Sequence, residues 1–510
     1  MPAPRVVLSM TACKRALSAL GILLALWIAP LHVMADGLSS QNARRTSAST
    51  MAPPRVGIDL ITARDADGSA LGTLVMPSLL APVAKSGSGA GRDHVDRPLL
   101  VVFNGGPGAG SAWLQLGLLG PQHVVLPAPN EQVAGQQPAG RLEPNRDGLW
   151  SLADILFVDP LGTGFSRTGS DVAASRVREW QADGDYLARA IAAWMAKHDR
   201  LAAPVILMGE SYGTERAIAV GEALERAHPQ VRVAGMVLIS QTVLSEFGVR
   251  QHDAKLATAI ALPTMAATAC YFGRAGVDQA DPVACAQQAW RFAMDNYAAA
   301  ARTGAMRPAL ARMTGVPEQE FAGPDLSLSR DRYRQIALAD RAMVLGRYDS
   351  RLPAPVDPVE GWQDPSLAPL LPVMTALARQ SVRETQNLAR SPIDHGAYVL
   401  FDGAILHGWR YGPQAPPPGS PAMAARLAAL LAHNGATLLV AGGLFDAVGS
   451  YGADRYLVEW MHLPQGRTQI ASYPGGHMFY LDDQNRAAFL ARLRGYIGHI
   501  SSPQGKTTPI

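Results

Sequence analysis

Residues 204–214 run Pro204-Val-Ile-Leu-Met208, then Gly209-Glu-Ser-Tyr-Gly213, then Thr214 at the head of a helix-forming stretch. An apolar run, a serine between two glycines and a helical pattern predict a strand, a sharp turn and a helix, with Ser211 at the apex. The glycines permit a turn tight enough to lift the serine hydroxyl clear of the sheet, where a base can reach it. The pentapeptide alone is weak evidence in a chain with 49 glycines, but its strand-to-helix context marks Ser211 as a nucleophile rather than an ordinary turn serine.

Around it lie further short apolar runs: Leu99-Leu-Val-Val-Phe103, Ile155-Leu-Phe-Val158, Val205 to Met208, Met236-Val-Leu-Ile239 and Leu438-Leu-Val-Ala441. Continuous apolar runs of this length fit parallel strands buried on both faces. Helical spacing follows several of them, over Val177–Lys197, Thr214–His228 and Asn485–Ile497. Arg55–Arg64 and Gly72–Pro77 read as an opening antiparallel pair, and Ser86–Gly91 as a surface loop. The expected fold class is α/β, a doubly wound, mostly parallel sheet of the α/β-hydrolase kind. Between about Ser245 and Ala425 the strand-helix rhythm gives way to helical segments and a proline cluster at Pro413–Pro421. This reads as a helical cap inserted over the carboxyl ends of the strands, where open α/β sheets bind ligands. The return of a core-like strand at Leu438 argues against a second independent domain. The core is expected over 55–244 and 426–500, the cap over 245–425 and a tail over 501–510.

The first 35 residues carry Arg5, Lys14 and Arg15, an apolar run from Ala16 to Pro30, and Val33-Met-Ala35. That order is a secretory signal with cleavage expected after Ala35, followed by a flexible leader over 36–54. The alternative, a retained anchor, has an apolar stretch shorter than the ~20 residues a span needs. Of 45 basic and 42 acidic side chains, three basic and no acidic ones leave with the signal, so the mature chain is formally neutral. Neutrality gives no argument for nucleic acid or an anionic membrane surface. A secreted or periplasmic location is expected, with no membrane association after cleavage. Cys270 and Cys285 are then the two remaining cysteines, 15 residues apart, and in an exported protein they are expected to form a disulfide. No Cys or His spacing points to a metal site, and no cofactor is expected.

A nucleophilic serine needs a base, a carboxylate to orient the base, and donors for an oxyanion. His477, in Pro474-Gly-Gly-His-Met478, follows the strand-like Thr468–Ser472 and precedes the last helix, where this fold places its base. Asp446, in Gly442-Gly-Leu-Phe-Asp446, follows a strand and lies 31 residues before His477. It is preferred to Asp402, which precedes that region, and to Asp454 and Asp482, which read as helix or helix-cap residues. For the oxyanion hole, the backbone N–H of Tyr212 is joined by that of Gly106, in the glycine-rich loop Asn104-Gly-Gly-Pro-Gly108. No Lys-Ser/Thr pair follows that loop, which disfavours a phosphate-binding reading.

Four blocks together resemble the serine carboxypeptidases, peptidase family S10: Asn104–Gly108 with Gly120-Pro121, Val158-Asp-Pro-Leu-Gly-Thr-Gly-Phe-Ser166, Gly209–Gly213, and Asp446 with Gly476-His-Met478. The resemblance implies that Glu210 and Asn104 bind the free carboxylate of a peptide's last residue. A carboxylate facing Glu210 requires one of the two to be protonated, so acid pH should favour activity. Eukaryotic members usually carry a tryptophan two places before that asparagine, a glutamate three before the Gly-Pro proline, and a cysteine after the glycine loop. Here those positions hold Val102, Leu118 and Ala109, which points to a bacterial-type branch. The implied partners are peptides with a free C-terminus; oligomeric state is not indicated. An esterase, an acyltransferase or an iminopeptidase using the same triad is the alternative, and an inactive binding protein on this scaffold is disfavoured by the three catalytic positions.

Overall fold

In the central strands, successive residues point into two different apolar layers, and this is why the runs are apolar without interruption. Leu99, Val101 and Phe103 pack with Val205, Leu207, Met236 and Leu238 on one face; Leu100 and Val102 pack with Ile206, Met208, Val237 and Ile239 on the other. The computed structural model describes residues 52–81, 97–276, 281–297, 306–321, 323, 325–356, 364–389 and 398–501. The expected signal peptide, all but the end of the leader, the loop at 86–91 and the tail beyond Ser501 lie outside the described residues.

Among the described residues the main sheet has nine strands: β1 (Arg55–Arg64), β2 (Ala70–Leu80), β3 (Leu99–Phe103), β4 (Asp154–Phe157), β5 (Arg167–Thr168), β6 (Val205–Glu210), β7 (Val233–Ile239), β8 (Thr437–Gly443) and β9 (Thr468–Tyr473). Their order is β1-β2-β4-β3-β6-β7-β8-β9, with β5 on β2. From β4 to β9 every neighbour is parallel; β2 runs antiparallel to β1, β4 and β5. This is the α/β-hydrolase arrangement. β2 continues past Pro77, expected as its end, because that proline sits between the stretch paired with β5 and the stretch paired with β4, unpaired on that side.

Helices α1 (Trp180–Lys197) and α2 (Tyr212–Ala227) cover one face. The expected start of α1 at Val177 is displaced to Trp180. Glu179 is extended there, at φ −142°, and the Trp180 N–H donates to the Arg410 carbonyl, so the chain is held open before the helix begins. The insertion contains α3 (Ala254–Tyr271), α4 (Pro282–Phe292), α5 (Arg307–Thr314), α6 (Arg330–Ile336) and α7 (Leu370–Ala389). α3 is buried nearly all round, from Ala257 to Cys270, which makes it the central helix of this part. Cys270 and Cys285 are joined by a disulfide that ties its end to α4.

The insertion is not uniform. α3 packs with Leu310, Phe321 and Tyr333 in a cluster of its own, whereas α7 lies on the core through Met374 and Leu377, against Trp113 and Val124. The boundary expected at residue 425 falls inside α8 (Pro421–Asn434), whose Leu427, Leu430 and Leu431 belong to the core layer with α1 and α2. α9 (Tyr451–Trp460) follows β8, and α10 (Asp483–Ser501) closes the opposite layer with Phe489, Leu493 and Tyr496. Among the described residues, no helix is long and apolar enough to cross a membrane.

Candidate active site

Ser211 stands between β6 and α2 at φ 58°, ψ −131°, a backbone conformation that costs a non-glycine residue on the order of 1–3 kcal/mol. The turn is held from both sides. The Ser211 N–H donates to the Ile239 carbonyl at 3.0 Å, and the Thr214 N–H returns to the Ser211 carbonyl at 2.9 Å. A Cβ on Gly209 would sit 2.1 Å from the Gly213 carbonyl oxygen, so the elbow can close only with glycine there. Tyr212 is the first residue of α2; its N–H has no acceptor one turn back and faces the positive end of the helix dipole.

Asp446 and His477 meet in the loops after β8 and β9. Asp446 is 1% exposed, and its Oδ1 accepts from the N–H groups of Val448, at 2.7 Å, and Gly449, at 3.1 Å. Its Oδ2 is 2.8 Å from His477 Nδ1. Because Oδ2 can only accept, Nδ1 carries the proton and Nε2 is left as the base. His477 Nε2 is buried with no hydrogen-bond partner, 3.8 Å from Glu210 Oε1, and no hydrogen bond joins it to Ser211 in this structure. Burial alone would depress the imidazole pKa, but Asp446 above all, with Glu210 and Asp454 behind it, holds it above its ordinary value. The rival carboxylates have other work. Asp402 and Asp482 accept from the backbone N–H groups of Ala404 and Asn485, and Asp454 is bonded to Gln241 Nε2.

A strap from the insertion crosses both loops. The Ala447 N–H donates to Arg347 O at 3.1 Å, the His477 N–H to Tyr348 O at 2.5 Å, and the Ser350 N–H to Phe445 O at 3.0 Å. Arg351 Nη1 reaches Pro474 O at 2.9 Å, and Arg330 Nη1 donates to the carbonyls of Ala447 and Val448, each at 2.9 Å. The Tyr348 ring meets the His477 ring edge-on at 5.2 Å. Sequence reasoning missed this segment, and no sequence signal could have found it, since most of these bonds are made to backbone carbonyls that every residue carries.

The glycine loop packs directly on the elbow. A Cβ on Gly105 would stand 2.7 Å from Ser211 Cβ and 2.8 Å from both Glu210 O and Tyr212 N. Gly106 follows at φ +100°. Asn104 Nδ2 donates to Glu210 Oε2, and Asn104 Oδ1 accepts from Leu114 N at 3.1 Å. Two supports were not foreseen. Buried Arg216 donates to Asn104 O and to Asp183, each at 2.6 Å. Asp159, inside the Val158–Ser166 block, accepts from Ser111 N at 2.6 Å and so fixes the far end of the loop. Burial raises the Glu210 pKa, against the opposing pull of His477 and Asn104. Tyr480 was missed as well; it is fully buried beside Glu210 and Asn104. Val102 and Leu118 are fully buried in the apolar layer, in place of the tryptophan and glutamate of the eukaryotic pattern.

Burial raises the pKa of two further carboxyls near the site: Glu215, pushed up to about 7, and Asp454, pushed up to about 8. In the unfolded chain both ionise near their ordinary values of 4.5 and 3.8. Their contribution to stability is therefore whole below those values and is lost as pH rises through 7 and 8. The thermal midpoint should fall as pH rises from about 5 to 8.5, and Glu215→Gln with Asp454→Asn should flatten that fall in a calorimetric pH series. A midpoint independent of pH in the parent protein would contradict it.

A cavity of about 600 Å³ opens beside the base loop, lined among others by Gly476, Met478, Tyr348, Arg351 and the 126–138 segment. Ser211, Glu210 and Asn104 do not line it. No cluster of His, Cys, Asp and Glu suited to a metal ion occurs among the described residues.

Residues 88–231 match the family model described as peptidase S10, serine carboxypeptidase. The matched segment contains the glycine loop, the Val158–Ser166 block and the elbow, and stops before Asp446 and His477. Among solved structures, a prohormone-processing carboxypeptidase from Saccharomyces cerevisiae is similar at 14% identity and a TM-score of 0.53, covering 88% of this chain and 91% of that one. An esterase from Rhodococcus sp. ECU1013 is similar at 14% identity and a TM-score of 0.36, covering 87% of this chain and 98% of that one. No curated protein sequence matches the chain.

Proposed function

We propose that this chain, whose residues 88–231 match the serine carboxypeptidase family model, is an exported enzyme, secreted or periplasmic, that removes the C-terminal residue from peptides through an acyl-enzyme on Ser211. The observation that carries the reading is the Asn104–Glu210 pair: an amide and a buried carboxyl, bonded to each other, directly before the nucleophile and beneath the base. His477 Nε2 takes the Ser211 proton as the hydroxyl attacks the last peptide carbonyl, and Asp446 stabilises the resulting imidazolium. The N–H groups of Tyr212 and Gly106 receive the oxyanion. His477 then protonates the leaving amine, and water hydrolyses the acyl-enzyme with the same base. Glu210 must be protonated for a substrate carboxylate to lie against it, and burial already moves its pKa towards that state.

The pH profile follows from these two groups. On the alkaline side, kcat/KM falls as Glu210 ionises; on the acid side, it falls as His477 takes up a proton. Because Glu210 is one of the charges that raise the His477 pKa, neutralising it also eases the acid limb. Glu210→Gln should therefore abolish the alkaline decline and move the acid limb to lower pH.

The deciding experiment is release of the terminal amino acid from N-blocked dipeptides between pH 4 and 8, as a rough range spanning both groups, beside an amide-capped peptide and a simple aryl ester, with Ser211→Ala as control. Cleavage of the free-carboxylate peptide, favoured at acid pH and lost in the variant, is the expected result. Ester turnover without it would retain the triad and reject the substrate class, leaving the esterase or acyltransferase alternative.

A further inference from the structure

Asp446 Oδ1 is held by two consecutive peptide units. The N–H of the Ala447–Val448 unit donates to it at 2.7 Å and that of the Val448–Gly449 unit at 3.1 Å. Both peptide bonds are trans, so the carbonyl of each unit points away from its own N–H. On that other side both carbonyls meet a single atom: Arg330 Nη1 donates to Ala447 O and to Val448 O, each at 2.9 Å. Nη1 carries two hydrogens, one for each carbonyl. The two N–H groups thus converge on the carboxylate and the two carbonyls on the guanidinium, with the peptide units as the only link between them.

Arg330 is itself fixed. It is the first residue of α6, behind the Ser329 cap, and its side chain is only 14% exposed. Its Nε lies 3.6 Å from Oε2 of buried Glu246, at the start of the insertion. The turn it grips has little room to slide, since the Ala447 N–H is tied to Arg347 O and a Cβ on Gly449 would stand 3.0 Å from Asp446 Oδ2. The charges of Arg330 and Asp446 attract one another, and a cation on a carbonyl strengthens the N–H of the same peptide as a donor.

We propose that Arg330 is a positioning residue of the triad: through the two peptide units it shares with Asp446 it sets the direction of the carboxylate, with Oδ1 anchored and Oδ2 presented to His477 Nδ1. The proposal rests on Ser211, His477 and Asp446 acting together, and is independent of which substrate they act on.

Arg330→Met removes the guanidinium and keeps an apolar stem. Parent, Arg330→Met, Asp446→Ala and the double variant are compared by the rate of covalent labelling of Ser211 with a fluorophosphonate, and by kcat and KM on an N-blocked dipeptide or an aryl ester, whichever the parent turns over. In the parent background, labelling and kcat should fall on the order of 10²-fold, the cost of misplacing a catalytic group by about 1 Å, with KM within about twofold. In the Asp446→Ala background no carboxylate is left to position, and the same substitution should change neither rate. Unchanged rates in Arg330→Met, or an equal further loss in the double variant, would overturn the role and leave Arg330 as a support of the fold. Where Arg330→Met does not fold, Arg330→Lys is taken through the same cycle; a smaller loss, on the order of tenfold, is expected, again absent from Asp446→Ala. Failure of the triad itself is recognised separately: Ser211 of the parent would not take the label, and the proposal would fall with it.

Discussion

Asp446→Asn should lower kcat on the order of 10⁴-fold with little change in KM, the scale found when a triad carboxylate becomes an amide. The geometry explains why so small a change is so damaging. Asp446 Oδ1 accepts from two backbone N–H groups, Val448 and Gly449, so an asparagine must turn its carbonyl oxygen towards them. Its NH₂ then faces His477 Nδ1, at the place where Oδ2 now stands 2.8 Å away. Nδ1 becomes the acceptor, the proton moves to Nε2, and the nitrogen that must take the Ser211 proton is already occupied. Steady-state kinetics at neutral pH measures the loss. A deficit of tenfold or less would mean that Asp446 does not orient the base and that another carboxylate does.

Gly105→Ala should lower kcat by about 10²–10³-fold, as for loss of an oxyanion donor, through position alone. The added methyl would meet Ser211 Cβ at 2.7 Å and the Glu210 and Tyr212 backbone at 2.8 Å. Two of those three contacts are main chain, which cannot swing aside. Either the glycine loop retreats and carries Gly106 away from the oxyanion position, or the elbow shifts and moves the nucleophile. A displacement of about 1 Å is enough to cost 10²-fold. Unaltered kcat, with an unaltered thermal midpoint, would show that the loop does not set the geometry of the reaction.

Much of this arrangement was legible because it follows strand ends. Ser211 and Asp446 come soon after apolar runs, which a sheet buried on both faces must have, and His477 follows the strand-like Thr468–Ser472. Position just after a strand therefore ranks Asp446 above Asp454, which reads as a helix residue, although Asp454 is buried as well. What escaped the reading acts at long range. Arg216 stabilises the glycine loop from the elbow helix, 112 residues away in sequence, and nothing in its neighbours distinguishes it from a surface arginine. The α8 boundary escaped for a different reason: Leu427, Leu430 and Leu431 have the same helical spacing whether a helix packs on a cap or on the core. Tyr480 was hidden by its own side chain, since a tyrosine after a catalytic loop reads first as packing.

The strap of residues 347–351 gives the insertion a part in whether the enzyme works at all. The orienting carboxylate and the base arrive on separate loops after separate strands, and the insertion's main chain is bonded to both. A chain whose sheet has formed but whose insertion is still loose has all its reacting groups and no assembled site. Hydrolytic competence would then depend on the docking of the insertion as much as on the core that carries the reacting groups.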